Sequence, residues 1–407
     1  MRPGGEGGRE VAAGDKVLLL LVLLFALIEQ LLFGMVPDDA FVTFRYADNI
    51  AAGHGAVFNV GDGFEGPPNF LWLILVTLPK VLFGLDVARS ATVLSVLCVL
   101  GCVVLAYRLG GRFGLPAAVL TSGASGLAAY GLAGTETALF VLLLLAVVGA
   151  LATGHAVVAG VLAALAMMTR PEGVVPAVLA VIWLIVGAAR RRWSWWTPLA
   201  DLLGLLVFVV PWLVWRATYY DEPLTGRSLM PFTPFSYGFL AVTLAAVGIA
   251  RVCQRRARPS PSPRRGPLAV SAVALSVCAV SLPISAATWP DVAERRALVA
   301  ETEEIGAWLA DRVQPGSVIA TGRAALAYTI GTRLVAVGES LAAVRWPDMV
   351  AYSATRDCAG YAGFYESATF QRVGTGAWVT VYPRQDQFGK LVERLSADPR
   401  MTYVPCP

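Results

Sequence analysis

Histidine is almost missing from this chain. His54 and His155 are the only two, so a metal centre built on several imidazoles is excluded. Cysteine is scarce as well: there are six, with no CxxC pair and no His/Cys cluster, so no zinc-ligand pattern exists. Cys98, Cys102, Cys253 and Cys278 lie in or beside apolar runs, where cysteine packs as a small hydrophobe. Cys358 and Cys406 are then the only thiols of the C-terminal stretch. Charged residues make up 15% of the chain against 57% hydrophobic ones. A soluble protein of 407 residues cannot hide that much apolar surface, whereas a lipid-solvated one need not. The net charge of +4 is modest, and the basic residues gather between apolar runs rather than on one face of a soluble domain. That excludes nucleic acid as a partner. A Gly-rich phosphate loop of the nucleotide-binding kind is absent, and so is any internal repeat.

What is present is a series of apolar runs: 17–35, 70–83, 91–107, 116–130, 137–151, 156–168, 174–189, 198–215, 235–252 and 269–287. None shows the alternation of a barrel strand, so in a bilayer they are helices. The pattern predicts an α-helical polytopic membrane protein with about nine or ten transmembrane helices. The polar, Gly-rich segment 1–16 is a cytoplasmic tail, 17–289 the transmembrane domain, and 290–407 a small α/β domain. Run 17–28 resembles a signal-peptide core, but Glu29 and Gln30 follow it without a small-residue cleavage site, so it reads as a retained first helix. In the C-terminal domain, 294–312 reads as an amphipathic helix with Ile305, Trp308 and Leu309 on one face. Segments 317–320 and 378–382 read as strands, and 387–395 as a helix.

Lysine and arginine give the orientation. Arg2, Arg9 and Lys16, then Arg108 and Arg112, Arg190 to Arg192, and the run 251–265 belong in the cytoplasm by the positive-inside rule. Segments 37–69, 130–136, 169–173, 219–234 and the C-terminal domain are then outside. Two runs separate Asn69 from Arg108 where the rule allows one crossing, so 70–83, with Pro79 and Lys80, reads as short or re-entrant. The outside segments hold nearly all the unusual polar residues, and such one-sided clustering marks a site. Asp38 and Asp39 stand side by side at the exit of the first helix. Adjacent carboxylates repel, an arrangement that suits a general base or a site for a cation or polar acceptor. The bland alternative is capping of a helix over 40–51. Glu29 either lines a cavity or reaches the headgroups. Trp72, Trp212 and Trp215 read as belt aromatics.

Segment 37–72 resembles the first outer loop of GT-C superfamily membrane glycosyltransferases, nearest to bacterial cell-wall arabinofuranosyltransferases. The ordered elements are Asp38-Asp39-Ala40-Phe41, Arg45-Tyr46-Ala47, Gly53-His54-Gly55, Phe58-Asn59, Glu65-Gly66 and Asn69 to Trp72. Further on, Gly134 to Thr137 and Thr169 to Gly173 resemble two later family elements, and Arg216 with Tyr219 and Tyr220 a third. The likeness then stops: 221–234 keeps only Pro223 and Leu224 of the family's next stretch. The resemblance implies a protein of the bacterial plasma membrane that moves a sugar, arabinofuranose being one candidate. The donor would be a polyprenyl-phosphate sugar, and the acceptor an envelope glycan, lipid or protein. Asp38, with Asp39 second, would be the general base of an inverting transfer. Arg170, Arg216 and Arg45, in that order, would meet the lipid phosphate, since arginine stays charged and binds phosphate bidentately. Glu65, Glu136, Glu172, His54, Tyr219 and Tyr220 would contact sugar or acceptor. No cofactor is called for, and a divalent cation at the acidic pair stays open. A non-catalytic relative that binds lipid or glycan during envelope assembly is the alternative. An exported C-terminal domain would sit in an oxidising compartment, where Cys358 and Cys406 can form a bridge.

Overall fold

The structure is a computed structural model. It describes residues 13–60, 69–111, 114–123, 128, 130–191, 193–220, 289–310, 318–321, 324–330, 333–336, 349–353, 358, 366–373 and 378–406. The chain divides into two compact units: Met1–Val36 with Glu65–Ala293, and Pro37–Phe64 with Glu294–Pro407.

The first unit is helical. Its described helices are α1 (Ala13–Phe33), α3 (Phe70–Phe83), α4 (Val87–Gly110), α5 (Gly114–Ser122), α6 (Thr137–Thr153), α7 (Ala156–Thr169), α8 (Val174–Ala189) and α9 (Trp196–Tyr220); α2 (Ala40–Ala51) belongs to the second unit. Segments 15–33, 87–110, 171–189 and 196–220 are long and apolar enough to cross a membrane, and α3, α6 and α7 are shorter apolar helices. With 14 residues including Pro79, α3 reaches only about 21 Å, short of a bilayer's apolar core of about 30 Å. Runs 235–252 and 269–287, with Cys253 and Cys278, lie outside the described residues.

The burial pattern is that of a lipid-solvated bundle. Leu20, Leu24 and Leu31 of α1 are half exposed or more, while Glu29 (1%) and Gln30 (0%) are buried. A soluble helix does the reverse; here apolar side chains face lipid and polar ones face protein. Glu29 thus does not reach the headgroups. Helices α7 and α9 approach through glycines. A Cβ on Gly160 would lie 1.9 Å from the Asp201 carbonyl oxygen, and one on Gly204 2.3 Å from that of Val157. Small residues at such a crossing let two backbones touch, which is how helices associate where no hydrophobic force separates them from lipid. Cys98 and Cys102 are buried and unbridged.

The second unit combines α2 with an α/β domain. Helix α10 (Trp289–Ala310) leads into β1 (Val318–Thr321), α11 (Ala324–Ile330), β2 (Arg333–Ala336), β3 (Met349–Ser353), β4 (Ala368–Arg372), β5 (Trp378–Pro383), α12 (Phe388–Ser396) and β6 (Met401–Tyr403). The six strands form one sheet in the order β2-β1-β3-β5-β4-β6. Strand β1 runs parallel to β2 and β3, and the remaining pairs are antiparallel. Helix α11 is the crossover between the parallel strands β1 and β2, as parallel pairing requires. Ile305, Trp308 and Leu309 pack with Leu326, Ile330, Phe370, Val379, Val381, Leu395 and Met401 in one core. Cys358 and Cys406 are joined as a disulfide with Cα atoms 5.6 Å apart, inside the range a bridge needs.

Candidate functional site

Three separated sequence elements meet on one arginine in the helical unit. Arg170 ends α7 in an extended conformation, and Pro171–Gly173 makes a single 3-10 turn before α8. That break turns Arg170 and Glu172 toward each other: Nη2 donates to Glu172 Oε1 at 2.8 Å and Nε to Oε2 at 3.3 Å, a forked pair. The guanidinium's Nη1 donates to Glu136 Oε1 at 2.9 Å. Asn69, at the start of α3, donates through Nδ2 to the other Glu136 oxygen at 3.1 Å. Two further bonds tie down the backbone that carries Glu136. Trp72 Nε1 donates to the Gly134 carbonyl at 3.0 Å, and Ser95 Oγ to that of Thr135 at 3.1 Å. Trp72 is fully buried, a clamp rather than a belt aromatic. Exposure falls from 18% at the Glu136 side chain through 13% at Arg170 to 3% at Glu172. Burial works against the charge of Arg170, but the bond to Glu172 and the charges of Glu136 and Glu172 outweigh it, so its pKa stands above the ordinary arginine value. Two carboxylates on one guanidinium leave these three side chains with a formal charge of −1.

An aromatic cluster adjoins through Phe70, the residue after Asn69. Its ring lies 4.8 Å from Trp215, which stacks on Tyr219 at 5.3 Å; Tyr219 and Tyr220 meet edge to face at 4.8 Å. Arg216, 1% exposed, places its guanidinium 5.7 Å from the Tyr220 ring centre. Tyr219 is the exposed member.

The acidic pair belongs to the other unit. Asp39 occupies the N-cap position of α2 but makes no side-chain cap, so the capping alternative does not describe it. Asp38 is turned toward the C-terminal domain instead: its Oδ1 accepts from the Ala325 backbone N–H, at the start of α11, at 2.9 Å. Arg45, whose pKa burial lowers, donates to the Phe58 carbonyl at 2.8 Å and Asn59 Oδ1 at 3.1 Å, with its guanidinium over the Phe58 ring. It braces the turn at 53–59. His54 sits exposed on that turn between Gly53 and Gly55, whose φ values of 83° and 87° suit glycine. Glu65 lies outside the described residues.

Asp38, Asp39, Arg45 and His54 are therefore members of one unit, and Glu136, Arg170, Glu172, Arg216, Tyr219 and Tyr220 of the other. Sequence reasoning missed Asn69 as the partner of Glu136, although it opens the Asn69–Trp72 element. It also missed Ala325, whose contribution is a backbone N–H that no side chain advertises. Among the described residues no group of three or more His, Cys, Asp or Glu side chains is placed to hold a metal ion.

No family model matches the chain, and no curated protein matches it in sequence. Solved structures do match it in shape. The crystal structure of ArnT from Cupriavidus metallidurans bound to undecaprenyl phosphate covers 91% of this chain and 98% of its own, with a TM-score of 0.60 at 14% identity. The apo state of the same protein gives 0.57 at 16% identity over the same shares. The chain has the GT-C fold. It is a membrane protein of that fold, a polytopic helical domain joined to a small α/β domain.

Proposed function

We propose that this protein is a membrane glycosyltransferase that takes its sugar from a polyprenyl-phosphate carrier at the outer face of the bacterial plasma membrane. The observation that carries the reading is the meeting of the Asn69, Glu136 and Arg170–Glu172 elements in one polar network. These are the elements by which the sequence resembles GT-C enzymes, and the fold is shared with a protein crystallised with undecaprenyl phosphate.

In this reading Asp38 takes the proton of an acceptor hydroxyl, with Asp39 second. The hydroxyl oxygen forms its bond to the sugar's anomeric carbon as the bond from that carbon to the phosphate oxygen breaks. The polyprenyl phosphate leaves with the electron pair, and the configuration inverts. Charge grows on the leaving phosphate, and preorganised cations stabilise it. Arg216 and Arg170 supply them. Arg170 is prealigned by its fork to Glu172, and the phosphate takes the place of Glu136, the more exposed carboxylate, which Asn69 then holds. Arg45 keeps its turn in shape. Tyr219 and Tyr220 offer ring faces to a sugar. The acceptor is a glycan, lipid or protein of the envelope.

Membranes carrying the protein, incubated with labelled polyprenyl-phosphate arabinofuranose, mannose and glucose, test this directly. Transfer from at least one donor is expected, and its loss in Asp38→Asn. Full turnover in both Asp38→Asn and Asp39→Asn would end the mechanism. Donor binding without transfer by the unaltered chain would make it a lipid- or glycan-binding relative instead.

A further inference from the structure

We infer that the C-terminal domain holds the carboxylate of Asp38 in place, with Tyr328 as the positioning residue and the Ala325 backbone N–H as the direct contact; the inference rests on the catalytic reading of Asp38. The argument starts at the head of α2. An N-cap carboxylate ordinarily satisfies the N–H groups of its own helix, and here the N-cap residue Asp39 makes no side-chain cap bond. The Asp38 Oδ1 takes a hydrogen bond from a residue 287 positions further on. Such a bond is charge-assisted and directional, so it sets where the carboxylate lies only if α11 itself is fixed against α2.

That fixing is done by three rings. Phe41 and Phe44 stand three residues apart on α2 with their rings 5.4 Å apart, and they are 3% and 0% exposed. Tyr328 packs on both, at 5.6 Å from Phe41 and 6.1 Å from Phe44. Edge-to-face and tilted pairs at such separations are favourable beyond the area they bury. Tyr328 is three residues after Ala325, and residues three apart share one helix face. The first turn of α11 therefore presents the donor to Asp38, and the ring one turn later packs on α2. Behind it, Leu326 and Ile330 anchor α11 in the core of the sheet domain. The reactive end of the first loop is thus mounted on the C-terminal domain rather than left to the loop's own turn.

Kinetics on full-length protein in membranes, with the same three labelled donors, test this. Tyr328→Ala is expected to lower kcat about a hundredfold, the scale of a misplacement of about 1 Å, with the donor KM unchanged. Tyr328→Phe keeps the ring and should restore turnover. Ala325→Pro, which removes the N–H at a first-turn position where proline is tolerated, should match Tyr328→Ala, while Ala325→Gly keeps the donor and the activity. The Cys358–Cys406 bridge, read by mass spectrometry, reports that the domain has folded in each variant. Should Tyr328→Ala and Ala325→Pro both turn over normally while Asp38→Asn is dead, the positioning role is gone and the catalytic reading stands. Activity that survives Asp38→Asn removes both, and a raised donor KM at unchanged kcat in Tyr328→Ala removes the positioning role alone.

Discussion

Arg170 shows how much a single side chain's meaning depends on its partners. Alone in the sequence, an arginine after an apolar helix is equally a snorkelling residue or a phosphate ligand. In the structure it is shared between Glu172, deeply buried and forked, and Glu136, more exposed and also held by Asn69. Removing one partner of a buried pair leaves an uncompensated charge, at a cost of roughly 3–5 kcal/mol. Glu172→Gln should therefore depress the thermal unfolding temperature of the detergent-solubilised protein clearly more than Glu136→Gln, which retains Asn69 as a neighbour. An equal effect of the two would contradict the ranking by burial. In transfer assays the order should reverse in kind: Glu136→Gln is expected to alter donor KM, since the proposed mechanism has Glu136 yield to the phosphate.

At the scale of elements, the α7–α9 crossing is the place where the bundle has least room. The backbone carbonyls of Asp201 and Val157 stand where a Cβ on Gly160 or Gly204 would go. Backbone cannot rotate away as a side chain can, so Gly160→Leu and Gly204→Leu must part the helices. Both variants are expected to lose most of their folded yield, judged by size-exclusion chromatography in mild detergent, while Leu203→Ala, on an exposed position of the same helix, stays at parental yield. Full yield in both glycine variants would mean that the two helices pack differently.

For the whole molecule, one measurement bears on the stability of the C-terminal domain and one on the side of the membrane. The bridge between Cys358 and Cys406 closes a loop of 48 residues, which the chain-entropy account values at roughly 4 kcal/mol. Cys358→Ser should lower the stability of the C-terminal domain by an amount of that order, measured by protease resistance of the domain in whole membranes. Cysteine placed at Asp39 or Tyr219, both exposed, should react with a membrane-impermeant thiol reagent on intact cells above the parental level, and cysteine at Arg190 should not. Labelling at Arg190 alone would invert the proposed topology.

The helical membrane character and the amphipathic helix over 294–312 were legible in the sequence, because they arise from solvation and from a short local period. Leu20 and Leu24 need lipid whatever lies beside them, and Ile305, Trp308 and Leu309 fall on one face by spacing alone. The cysteine pair was legible by the composition of one domain. The elements of the candidate site were legible as short strings, since each keeps its residues contiguous. Their partners were not. Whether Glu29 faces lipid or protein depends on which neighbours surround α1. That Arg170 serves two carboxylates depends on a break between α7 and α8 meeting the start of α6. That Asp38 leans on Ala325 depends on a fold that closes over 287 residues of chain. Hydropathy and period act between near neighbours and so are written locally. Hydrogen bonds and ion pairs require particular atoms within about 3 Å, and only the packed chain brings distant atoms that close.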